Sequence, residues 1–144
     1  MRAPRLLLVL LATSFTSLAC SDSDDGGTTD PPPEDVSFSQ DIQPIFTANC
    51  ALSGCHSGTN PQQGMNLSSG QAYANIVNVA SLELPSMDRI EPSDPDNSYL
   101  VNKIQGTHVD VGGSGSRMPL GRAPLTQATI DQIREWVADG APDN

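Results

Sequence analysis

The chain has 144 residues, with 17 acids against seven Lys and Arg, a formal charge of −10, 37% hydrophobic residues and only 4% aromatics. So acidic a chain is a poor match for nucleic acid or an anionic membrane surface, both of which call for Lys and Arg. The charge is also uneven: Arg2 and Arg5 precede Cys20 and every acid follows it, so the chain beyond Cys20 sets five cations against 17 acids, formally −12.

Residues 1–20 read as a signal peptide. Arg2 and Arg5 supply a positive start, and Leu6 to Ala12 an apolar run too short to span a bilayer as a helix, which takes about 20 residues. Ser17 and Ala19 fit the small-residue rule for ordinary cleavage. Ser17-Leu18-Ala19-Cys20 also resembles a bacterial lipobox, although leucine is usual where Ser17 stands. Cysteine arithmetic favours the lipid. Cys50 and Cys55 make a local pair, so Cys20 is an odd thiol in an oxidising compartment unless it is acylated. The expectation is export to the bacterial cell envelope and a lipid anchor at Cys20, facing periplasm or exterior. Ser21 is compatible with outer-membrane sorting.

Residues 21–35 hold six acids, three prolines, two glycines and no large apolar side chain. They are expected to form a disordered tether, with ends roughly 20 Å apart and stretched by the proline run. One domain remains, residues 36–144.

Phe38, Ile42, Ile45 and Phe46 fall at helical spacing, which predicts a first helix from about Ile42 to Asn49, capped by Asp41 with Pro44 in its first turn. A second helix is expected after Ser69, carrying Tyr73, Ile76 and Val77 on one face. A third begins near Asp96 or Asn97, carries Tyr99, Leu100 and Ile104, and stops at Gly106. The last starts from a Thr126 cap, with Leu125 stapled to Ile130. Ile130, Ile133 and Val137 form its face, Trp136 flanks that face, and Gly140 ends it. No stretch alternates like a strand and no repeat is visible. The fold class expected is small and all-α, about four helices with long loops. Only five aromatics lie beyond residue 35, so something else is expected to fill the middle and the chain alone to be poorly packed.

The chemistry centres on Cys50-Ala51-Leu52-Ser53-Gly54-Cys55-His56. Two thiols can add across the two vinyl groups of a haem, and a histidine directly after the second can bind its iron. The usual spacer is two residues and here it is four, so the spacer must bulge, which small Ala51, Ser53 and Gly54 permit. The alternative is a Cys50–Cys55 disulfide beside an exposed His56. A structural zinc site is weaker, since it normally needs four ligands. For the far side of the iron the chain offers Met65, Met87, Met118 and His108. Met118 lies between Gly115-Ser116-Arg117 and Pro119, a plausible way to present a ligand. Met65 and Met87 look like gap filling, and His108 is a rival that would lower the potential. Propionates could be met by Arg89, Lys103, Arg117, Tyr99 or Trp136. Gly113-Ser114-Gly115 lacks the preceding strand and following Lys of a phosphate loop, and no serine–histidine–acid set is evident.

The order of these features resembles the cytochrome c-like domains of exported bacterial proteins and lipoproteins. It runs Asp41-Ile42-Gln43-Pro44-Ile45-Phe46, the Cys…Cys-His site, Asn66-Leu67 with the Tyr73 helix, and Arg89-Ile90-Glu91-Pro92 with Ser98-Tyr99-Leu100. Arg117-Met118-Pro119 and Leu125 through Trp136 to Gly140-Ala141 follow. The resemblance covers nearly all of residues 36–144; the widened spacer departs from the commonest form. It implies first and last helices crossing beside one covalent haem c, His56 as proximal and Met118 as distal iron ligand. It implies a monohaem electron carrier, not an enzyme by itself, working between extracytoplasmic redox partners. A haem-free lipoprotein module for binding or scaffolding, stapled by Cys50–Cys55, is the alternative. A labile Met118 would instead give a ligand sensor or weak peroxidase.

Overall fold

The computed structural model describes residues 35–144, so the signal peptide, Cys20 and all but the last residue of the tether lie outside the described residues. Within them are four α-helices and no strand, only the isolated bridges Val77–Ile90 and Ala80–Asp88. The domain is small and mostly helical, with long loops. None of these helices is long and apolar enough to cross a membrane.

The chain turns helical earlier than the apolar spacing implied. Ser37, not Asp41, is the cap: its Oγ accepts from Gln40 N–H at 3.3 Å, and Asp41 Oδ2 accepts from Ser37 N–H at 2.9 Å. Residues Phe38–Ile42 form a widened turn in which Ile42 N–H reaches back five residues to Ser37 O. Pro44 explains the widening, because its ring has no N–H to give Gln40 O and would crowd that carbonyl in a tighter turn. Helix α1, Gln43–Asn49, then carries Pro44 in its first turn and delivers the chain to Cys50.

Helix α2, Ala72–Ile76, is short, and α3, Tyr99–Gln105, starts after a Ser98 cap position. The delay relative to Asp96 comes from Asp94, which accepts Asn97 N–H at 3.2 Å and Asn97 Nδ2 at 2.7 Å and so holds a turn there. Gly106 ends α3 at φ +85°, and Arg117 crosses so close that a Cβ would meet its Cδ at 2.9 Å. Helix α4, Gln127–Ala138, is capped by Thr126 Oγ1, which accepts Thr129 N–H at 3.2 Å.

The core gathers around the aromatic rings. Phe38 is its hub, with ring centroids 5.3 Å from Tyr73, 5.3 Å from Trp136 and 6.5 Å from Phe46. Such pairs add about 0.5–1.5 kcal/mol each beyond area burial. Trp136 is fully buried, not flanking, among Ile42, Ile130, Ile133 and Val137. Its Nε1–H donates to Pro142 O at 3.0 Å, and Tyr73 Oη donates to Ala141 O at 2.9 Å. Helix α4 packs on the Phe38–Ile42 turn and on α3. This frame leaves the Cys50–His56 loop, α3 and the loop before α4 around one side.

Candidate functional site

That side holds a cavity of about 500 Å³ lined by Cys50, Cys55, His56 and Met118, together with Met65, Arg89, Tyr99 and Lys103. The loop containing the two cysteines is built on the end of α1. Phe46 O accepts from both Cys50 N–H and Ala51 N–H at 2.8 Å, answering an otherwise unused terminal carbonyl. Cys50 O then accepts from Leu52 N–H at 2.8 Å and from His56 N–H at 3.2 Å, so the loop closes on its own first residue. Gly54, at φ +78° with open space where a Cβ would be, makes the return. Cys50, Gly54, Cys55 and His56 line the cavity while Ala51, Leu52 and Ser53 do not. The extra spacer residues therefore turn away from it.

Both cysteines are half-buried free thiols. Burial pushes the Cys50 pKa up to about 11, helped by the neighbouring Cys55 and opposed by Arg122. A thiol so fully protonated at neutral pH is ill suited to nucleophilic catalysis, which uses the thiolate. His56 is buried, its O accepting Leu67 N–H at 2.8 Å and its Nδ1 lying 3.2 Å from Gln62 O. Burial holds the imidazole below its ordinary pKa, more than the Gln62 and Met65 carbonyls restore. A neutral ring with its proton on Nδ1 donates to Gln62 and keeps the Nε2 lone pair, the arrangement metal-binding histidines use. Among the described residues no group of three or more His, Cys, Asp or Glu is placed to hold a bare metal ion.

Met118 reaches the cavity because the end of α3 holds its loop. Lys103 O accepts Met118 N–H at 3.0 Å and Ile104 O accepts Arg117 Nε–H at 2.9 Å, two of the carbonyls a helix end leaves free. Of the other candidates, Met65 lines the cavity as well as packing on the core, and Met87 does neither. His108 is buried but does not line the cavity. Its Nε2 lies 3.1 Å from Gly115 O, bracing the loop leading to Met118, and its Nδ1 has no partner among the described residues.

The basic residues sort themselves by their bonds. Arg89 is buried on the cavity wall and donates to Asn75 O at 2.6 Å and Gln63 O at 2.8 Å, with no carboxylate partner among the described residues. Burial lowers its pKa. Arg117 and Trp136, committed to Ile104 O and Pro142 O, do not line the cavity. Lys103 is held by Glu83 Oε2 at 2.8 Å and Ser114 O at 2.9 Å. Glu83 also accepts Tyr99 Oη–H at 2.9 Å. Gly113 fits under this cluster only for want of a side chain, since a Cβ would come 2.5 Å from Tyr99 Oη. Sequence reasoning did not find Glu83, which lies 20 residues from Lys103 with no periodic pattern between them.

Burial would push the Glu83 carboxyl up, but the hydrogen bonds from Lys103 and Tyr99 and the Lys103 charge outweigh it and hold the group below 4.5. A folded value below the unfolded one gives stability that is full above the unfolded pKa and lost as pH falls through the folded pKa. The urea midpoint of the wild type is therefore expected to drop below pH 4.5 more steeply than that of Glu83→Gln. Parallel curves would contradict the assignment.

No family model matches the chain, and no curated protein sequence matches it. Among solved structures, hydrazine synthase of Kuenenia stuttgartiensis is similar at 27% identity over 74% of this chain, with a TM-score of 0.47. The chain spans 16% of the length of that one.

Proposed function

We propose that this chain is a monohaem c-type cytochrome of the cell envelope that carries single electrons between extracytoplasmic redox partners. One observation carries the reading: Cys50, Cys55, His56 and Met118 line the same cavity, although Met118 lies 62 residues beyond His56. A lone Cys-His motif offers no reason for a methionine loop to be fastened at the same cavity.

The residues present fit a haem c. The two thiols suit thioether attachment, and the neutral His56 ring and the Met118 thioether suit the two faces of the iron. The donor set alone does not require haem, but Arg89 adds an independent reason. A buried, unpaired guanidinium is costly unless an anion meets it, and a propionate carboxylate is such an anion. Lys103 is already neutralised by Glu83 and Arg122, which also lines the cavity, is exposed, so Arg89 is the buried cation that the cavity leaves to a ligand. When bound, haem supplies a one-electron iron couple. His56 and Met118 would hold its iron, and two protein ligands favour carriage over turnover.

The test is expression in a host with haem-attachment machinery. A coloured protein with a c-type pyridine haemochrome and a one-electron titration is expected. A colourless protein would overturn the reading.

A further inference from the structure

Five Lys and Arg stand in residues 35–144. Arg89 and Lys103 are buried, and Arg134 pairs with Asp96 at 2.6 Å. The two that remain, Arg117 and Arg122, are exposed and bracket Met118, Pro119 and Leu120. From Val111 to Ile130 the sequence has no Asp or Glu, although the chain beyond Cys20 is formally −12. Leu120 and Leu82 are each 64% exposed, and both line the cavity. Leu82, Leu120 and Arg122 thus share the lining of one cavity, with Arg117 in the same loop as Leu120 and Arg122. Neither arginine has a carboxylate partner among the described residues, a surface unlike the acidic remainder.

We infer that this rim of the cavity is the docking surface for a redox protein presenting an apolar patch ringed by carboxylates. The inference rests on the function proposed above and names the chemistry of the partner. Charge complementarity is the argument. The body of this chain repels an acidic protein, whereas the Arg117–Arg122 rim attracts it, so approach is favoured only with the cavity facing the partner. Leu82 and Leu120 then supply the dry contact that charges alone do not. A closed dimer of this chain would set the same arginines against each other, so a second copy is a poorer occupant.

The test uses the reduced holoprotein, with hexacyanoferrate(III) as oxidant. One electron passes from the ferrous protein to the reagent, leaving ferric protein and hexacyanoferrate(II). The second-order rate is expected to fall as salt is added, as for attraction, despite the net negative charge. The double variant Arg117→Gln with Arg122→Gln is expected to be slower at low salt by about tenfold or more, with the salt dependence reversed. With a small copper protein bearing an apolar patch ringed by carboxylates, Leu82→Ser with Leu120→Ser is expected to slow transfer by about tenfold.

A wild-type rate that rises with salt would overturn the proposal, as would leucine variants that transfer to the copper protein at the wild-type rate. A concentration-dependent dimer dissociated by those variants would overturn it too, by giving the face to a second copy. A protein without haem is recognised by its spectrum before any rate is read, and overturns the underlying reading as well.

Discussion

Replacing Met118 by alanine is expected to leave a folded, haem-bearing protein whose reduction potential falls by on the order of 100 mV, within the roughly 0.8 V that axial ligands span. A thioether favours the reduced iron, and its loss removes that preference. The variant is also expected to bind added imidazole or cyanide in the ferric state, because one face of the iron opens. Met118 is half-buried and its backbone N–H stays on Lys103 O, so the loop retains its fastening to α3. Equilibrium redox titration and absorption spectra check this. An unchanged potential and spectrum would exclude Met118 as ligand and point to Met65, which also lines the cavity.

Arg89→Met is expected to act differently on the two forms of the protein. In the haem-free chain the substitution deprives Asn75 O and Gln63 O of their donors but also removes an unpaired buried charge, so the effects oppose and stability changes by about 1 kcal/mol or less. In the holoprotein a propionate is expected to pair with that charge, and removing it is expected to cost about 2–4 kcal/mol. The potential is also expected to fall, since a cation near the iron stabilises the more negative reduced state. Denaturant unfolding of both forms checks this. Equal losses would make Arg89 only a strap between the Gln63 and Asn75 segments.

The four helices were legible because their apolar faces and caps are local: Thr126, Gly106 and Gly140 stand where the sequence expects ends. The start of the first helix was not, because Pro44 reshapes the turn before it and passes the cap to Ser37. The third began late because the Asp94–Asn97 turn competes with helix. At the site, Cys50, Cys55 and His56 are adjacent in sequence, and Met118 was singled out by its glycine and proline neighbours. That they share a cavity with Arg89 depends on tertiary structure. So does the sorting of partners: Trp136 Nε1 and Arg117 Nε are taken by backbone carbonyls, His108 lies outside the cavity, and Glu83 claims Lys103. None of these pairings leaves a mark on spacing or composition.

The four-residue spacer remains the sharpest departure from ordinary haem attachment, and the loop geometry answers it by turning Ala51–Ser53 away while both cysteines line the cavity. The mass of the denatured holoprotein, with a count of its thiols, tests this most directly. The expected mass is that of the processed chain with its Cys20 modification plus one haem, with Cys50 and Cys55 both unreactive to thiol reagents before and after reduction. A mass without haem, with two thiols appearing only on reduction, would contradict it and establish the disulfide instead.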